Sequence, residues 1–213
     1  MKTLATLFSL FCLLAFGSLA IAQDGPDHRW NFNIGAGPTV PVGSIHSRLN
    51  TGWNFSAGGG INLSNALGII AEFHHDNLGV SDRALRDLNV PNGSARIYSL
   101  TINPTLRFGY DQKIGGYIIG GGGWYRRTVE FTQPTTAVVP VFDPWFGFLG
   151  QAVIPADQVI GSRTIDTGGA NIGAGVTYGL PRGAKFYAEV RYHWMNAGRH
   201  DTTMLPITFG LRW

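Results

Sequence analysis

Seven stretches of this chain alternate bulky apolar residues with small or polar ones at a period of two, and a glycine-rich stretch among them makes eight extended segments. That period belongs to extended strands, whose successive side chains point to opposite faces. Trp30, Phe32, Ile34 and Ala36 oppose Asn31, Asn33 and Gly35, and Trp53, Phe55 and Ala57 oppose Asn54, Ser56 and Gly58. The same opposition sets Leu67, Ile69, Ala71 and Phe73 against Gly68, Ile70, Glu72 and His74, and Leu100, Ile102 and Phe108 against Thr101, Asn103 and Arg107. Residues 115–131 are so rich in glycine that their facing is ambiguous. Farther on, Ile172 and Val176 alternate with Asn171, Gly173 and Gly175, and Phe186, Val190, Tyr192 and Trp194 with Tyr187, Glu189, Arg191 and His193. The eighth stretch carries Ile207, Phe209, Leu211 and Trp213 on one face and Thr208, Gly210 and Arg212 on the other. Chain ends of soluble domains are ordinarily frayed and polar, so an apolar strand running to Trp213 raises the question of what solvent it meets.

The connections answer in part. Short ones at 64–65, 111–114 and 181–183 alternate with long ones at 43–51, 76–95, 132–164 and 196–203. Tight turns at one end and long loops at the other are the mark of a transmembrane barrel. Aromatics cluster near segment ends, where a bilayer places its interfacial girdles. Charged residues make up 14% of the chain, against about 25% in soluble domains, and hydrocarbon around the outside accounts for the deficit. These features together imply an all-β fold, an eight-stranded antiparallel up-and-down transmembrane β-barrel. A closed barrel leaves no backbone group unpaired in lipid, and eight strands enclose room for side chains but not for a wide channel. The glycine repeats at 31–37 and 54–60 read as interior spacing, because no strand–turn–helix context makes them phosphate loops.

At the other terminus, Met1-Lys2, an apolar run over 4–19 and Ala20-Ile21-Ala22 read as a secretory signal peptide cleaved after residue 22. The barrel domain then covers 23–213. The single cysteine, Cys12, falls in the segment to be removed, so neither a disulfide nor a thiolate metal site is expected. The formal net charge of +3 forms no basic tract, which argues against nucleic acid as a partner. No cofactor is implied.

The stretches FYAEVRYHW (186–194) and PITFGLRW (206–213) resemble the small outer-membrane barrels of Gram-negative bacteria, the eight-stranded OmpA/OmpX-like family. The resemblance implies residence in the cell outer membrane, contact with its lipid, and handling by periplasmic chaperones and the barrel-assembly machinery. It also implies that Phe209 and Trp213 form the terminal signal that this machinery reads. No wall-binding domain is expected after the barrel. The role it suggests is non-catalytic: membrane integrity, or binding of an extracellular ligand through the long loops.

Four charges, Glu72, Arg107, Glu189 and Arg191, fall on the inward phase. Facing lipid at the midplane an arginine would cost about 2–4 kcal/mol; inside they can pair. They read as a plug of salt bridges or, alternatively, as the gate of a narrow ion or solute pore. The stretch His193-Trp194-Met195-Asn196-Ala197-Gly198 resembles the His-x-Ser-Asn-Ala-Gly motif of lipid A deacylases, which are also small barrels. Met195 stands where that chemistry needs a serine hydroxyl, leaving His193 a base without a nucleophile. His74 and His75 are adjacent on a strand, so they point apart and cannot chelate one ion together with Asp76. Within 132–164 the apolar cluster Phe142, Trp145, Phe146 and Phe148 either forms a binding surface or folds over the barrel mouth or outer leaflet; its prolines and broken alternation argue against a simple membrane strand. Residues 81–88 are expected to form one or two helical turns capped by Ser81.

Overall fold

A computed structural model describes residues 29–145, 147–196 and 201–213; the expected signal peptide at 1–22 lies outside these. The strands are β1 (Trp30–Val42), β2 (Gly52–Asn62), β3 (Leu67–Gly79), β4 (Asn92–Phe108), β5 (Ile114–Asp143), β6 (Phe148–Gly179), β7 (Lys185–Met195) and β8 (Thr202–Arg212). Each pairs antiparallel with the next, and β8 closes the ring on β1. At the seam, Trp213 N–H donates to Phe32 O at 3.0 Å and Phe32 N–H to Trp213 O at 3.2 Å. The ring of strands is therefore closed, as a hydrocarbon environment demands.

The alternation in sequence becomes the two faces of the wall. On β4, Thr101 and Asn103 are wholly buried while Ile102 between them is 63% exposed. The outward face is aliphatic through its middle and aromatic toward both rims. Trp30, Phe108, Tyr110, Tyr178 and Trp213 lie near the short-turn end; Trp53, His75, Tyr98 and Trp124 gather toward the other, His75 stacking on Tyr98 at 4.6 Å and meeting Trp53 edge-on at 5.1 Å. Arg126 sits over Trp124 at 5.1 Å and pairs with Asp166 at 2.8 Å, which suits a water–lipid boundary.

The inward glycines make room. A Cβ on Gly35 would stand 2.3 Å from the Tyr187 hydroxyl, on Gly58 2.6 Å from Glu72 Cγ, and on Gly175 2.5 Å from the Tyr117 ring. The glycine-rich part of β5 resolves in the same way: Tyr117, Ile119 and Tyr125 point inward, and Ile118 and Trp124 outward.

Residues 132–164 depart from the expected loop. Strands β5 and β6 continue as one hairpin whose turn spans only 144–147. Pairing of β5 with β4 stops at Thr132 and of β6 with β7 at Gly169, after which 133–143 pair only with 148–158. At ~3.4 Å per residue this free ribbon is about 35 Å long. Prolines suit such a ribbon: each strand has one neighbour, so Pro134, Pro140 and Pro155 can turn their missing N–H to the unpaired edge. A register shift between Phe131 and Thr132 marks where the ribbon leaves the barrel; bulges at barrel rims bend and twist the bulged strand in this way.

Between β3 and β4 lies the expected helix, α1 (Asp82–Leu88). Ser81 Oγ accepts from Ala84 N–H at 3.3 Å, and Asn89 ends the helix in a left-handed conformation at φ 52°. Ser81 N–H also donates to Arg48 O at 2.8 Å, tying this loop to the β1–β2 connection.

Candidate functional site

The inward residues of β3 climb from the short-turn end as Gly68, Ile70, Glu72, His74, Asp76 and Leu78, and those of β7 as Tyr187, Glu189, Arg191, His193 and Met195. Arg191 therefore meets Glu72 across the lumen. Its Nη1 lies 2.7 Å from Glu72 Oε2 and its Nη2 2.6 Å from Glu189 Oε1, all three side chains being almost fully buried. The remaining lone pairs are used. Asn33 and Asn103 donate to the two Glu72 oxygens, each at 2.6 Å, and the Tyr117 hydroxyl donates to Glu189 Oε2 at 2.8 Å. Arg191 Nη1 also approaches His74 Nε2 at 3.3 Å. Buried charges persist only when paired and hydrogen-bonded to this degree.

Arg107 does not join them. It sits opposite Tyr117 at the short-turn end of β4, while Thr101 is the residue opposite Glu72. The intervening rise is about 20 Å at ~3.4 Å per residue. Its Nη2 instead donates to Ser64 O at 3.0 Å and Leu67 O at 3.3 Å, stitching the β2–β3 turn. Three of the four expected charges meet, and the fourth caps a turn.

Above the charges, His193 Nδ1 faces the Tyr125 hydroxyl at 3.1 Å and its ring meets His74 edge-on at 5.2 Å. Both histidines are inside the barrel, whereas His75 is outside; among the described residues no group of three ligating side chains could hold a metal. Met195 packs with Leu78, Ile97, Tyr125 and Met204 in an apolar layer, with Leu49 against it. This layer lies on the long-loop side of the charges. Nothing in the alternation singled it out, because inward methionine and leucine break the polar phase that identified the interior.

On the ribbon, Phe142 is exposed and Trp145 is 89% exposed, with Val138 and Val153 exposed along the strands. Phe146 lies outside the described residues; Phe148 is the first residue of β6. Phe209 and Trp213 both face outward on or beside β8.

A closed eight-stranded wall with an apolar exterior, two aromatic rims and an ion-paired interior defines a small outer-membrane barrel. Residues 8–212 match the family described as outer membrane protein beta-barrel domain. The chain belongs to that family and resides in the outer membrane. Among solved structures, it is similar to Neisserial surface protein A, with a TM-score of 0.55 at 13% identity, covering 86% of this chain and 95% of that one. It is also similar to Ail, the attachment invasion locus protein of Yersinia pestis, solved with the heparin analogue sucrose octasulfate, with a TM-score of 0.47 at 14% identity over 87% and 100% of the two chains. For OprG of Pseudomonas aeruginosa the TM-score is 0.46 at 12% identity, over 89% and 99%. Likeness at these identities is one of fold. No curated protein matches the chain.

Proposed function

We propose that this protein is a non-catalytic outer-membrane barrel that holds up the β5–β6 ribbon as a surface-binding element. The observation that carries the reading is the ribbon itself: paired only within itself beyond the wall, and bearing Val138, Phe142, Trp145 and Val153 toward solvent. An apolar surface of this kind marks an interaction site. Long extensions of such barrels lie on the extracellular side, so the ligand would be met outside the cell. What supports the absence of transport is the lumen, filled by Arg191 with its two carboxylates and capped by the Met195 layer. What supports the absence of deacylation is that His193 is directed inside and Met195 is packed against Leu78.

During biogenesis, Phe209 and Trp213 serve as the segment handed from periplasmic chaperones to the assembly machinery. Both stand on the lipid-facing side of the strand that closes the ring. Replacing both by alanine is expected to lower the amount of inserted barrel in cells without preventing refolding of the purified chain in detergent.

The surface role is tested with cells carrying either the full barrel or one in which 133–158 are replaced by a tight turn. Adsorption to albumin-, fibronectin- and collagen-coated surfaces should fall with the shortened protein. Equal adsorption at equal surface expression would refute the role. Purified protein should show no stable conductance in planar bilayers and release no fatty acid from lipopolysaccharide.

A further inference from the structure

The short-turn mouth of the barrel carries a cluster that neither the plug nor the ribbon explains. A cavity of about 90 Å³ is lined there by Arg107, Lys185 and Arg212, together with Asn31, Tyr117 and Trp213. That space holds several water-sized groups. Among the described residues, no carboxylate comes within ion-pair distance of any of the three cations. Asp111 is felt by Lys185 from the exposed rim, and Glu189 is spoken for by Arg191 and Tyr117.

Arg212 is the anomalous residue. It is only 5% exposed, and its Nε and Nη2 have no hydrogen-bond partner. Its guanidinium carbon lies over two rings, 4.2 Å from the centroid of Tyr117 and 5.3 Å from that of Tyr187. Arg107 likewise has a buried Nε without a partner, although its Nη2 is engaged on turn carbonyls. Lys185 Nζ spends one donor on Tyr110 O at 3.0 Å and keeps others. Unused donors on a buried cation are costly, and a guanidinium held over aromatic rings keeps its planar fork of donors for an acceptor.

We propose that this cavity seats a phosphate-type oxyanion, gripped by Arg212, Arg107 and Lys185. An oxyanion supplies what the cluster lacks: acceptors for the orphaned donors and negative charge among three positive ones. A guanidinium binds such a group through two parallel hydrogen bonds. Phe108, Tyr110 and Trp213 belong to the aromatic rim and also line the cavity. The mouth thus lies at the membrane–water boundary, where the oxyanion can be a dissolved phosphate or the phosphodiester of a lipid headgroup.

The test uses ¹⁵N-arginine-labelled full-length barrel refolded in an uncharged detergent, with Nε–H resonances assigned through Arg107→Lys and Arg212→Lys. Inorganic phosphate is titrated in one arm, and phosphatidylglycerol is added to phosphate-free micelles in the other. The expected result is a saturable shift of the Arg212 and Arg107 resonances with Arg191 unmoved, and a several-fold weaker midpoint in Lys185→Gln. Response to phosphate assigns the dissolved ion, and response to phosphatidylglycerol alone assigns the headgroup. The proposal is overturned if neither probe shifts these resonances, if sodium chloride at equal ionic strength does so equally, or if Arg191 moves alongside them.

Discussion

Removing Arg191 while keeping its partners is the sharpest probe of the interior. In Arg191→Met a long apolar chain replaces the guanidinium, so little volume is lost, but Glu72 and Glu189 stay buried. Glu72 would retain its amide donors from Asn33 and Asn103, and Glu189 only the Tyr117 hydroxyl. Breaking a buried pair by deleting one partner costs about 3–5 kcal/mol, and Arg191 serves two carboxylates, so the upper part of that range is expected. With a urea dependence of about 2 kcal/mol per molar, the unfolding midpoint in phospholipid vesicles should fall by about 2–2.5 M. Adding Glu72→Gln and Glu189→Gln to Arg191→Met removes the stranded charges together with their counter-ion. With no charge left stranded, and with Asn33, Asn103 and Tyr117 still facing hydrogen-bonding side chains, the triple variant should recover most of the loss. A single variant within about 1 kcal/mol of the parent, or a triple variant as weak as the single, would refute the reasoning, because stranded charge is the cause invoked.

Arg107→Met should cost less, about 1–3 kcal/mol, since it breaks hydrogen bonds to turn carbonyls and strands no carboxylate; urea unfolding alongside Arg191→Met ranks the two. At the seam, a Cβ on Gly37 would lie 2.0 Å from Ile207 O, whereas Gly168 has nothing within 4 Å. Gly37→Val should therefore abolish the heat-modifiable band of the closed barrel on gels, and Gly168→Ala should leave it intact. Excision of 133–158 should leave that band and the unfolding midpoint nearly unchanged, because the ribbon's ladder partners are its own residues; a large loss would mean that the ribbon supports the wall.

Alternation makes the wall legible in the sequence: seven segments face as their phase implies, and one is obscured only by glycine, which has no side chain to declare a phase. The closing strand shows how strong that signal is, with Phe209 and Leu211 outward and Thr208 and Arg212 inward. Alternation reports face and not height, however. Arg107 shares the inward phase with Glu72 but lies about 20 Å along the wall from it, a separation that only strand register reveals. The ribbon was hidden by a different rule. Proline and mixed polarity exclude a strand between two neighbours in lipid, but not a strand with one neighbour in water. The Met195 layer and the Arg212 cluster were hidden because both depend on which side chains meet across the lumen.

The central claim is that the apolar face touches acyl chains and the polar face an enclosed interior. Spin labels placed singly at 99–106 on β4, in a chain whose one cysteine, Cys12, has been replaced, measure this through collision with dissolved oxygen in lipid vesicles. Accessibility should oscillate residue by residue, high at 100, 102, 104 and 106 and low at 99, 101, 103 and 105. A flat profile, or one of the opposite phase, would contradict the account.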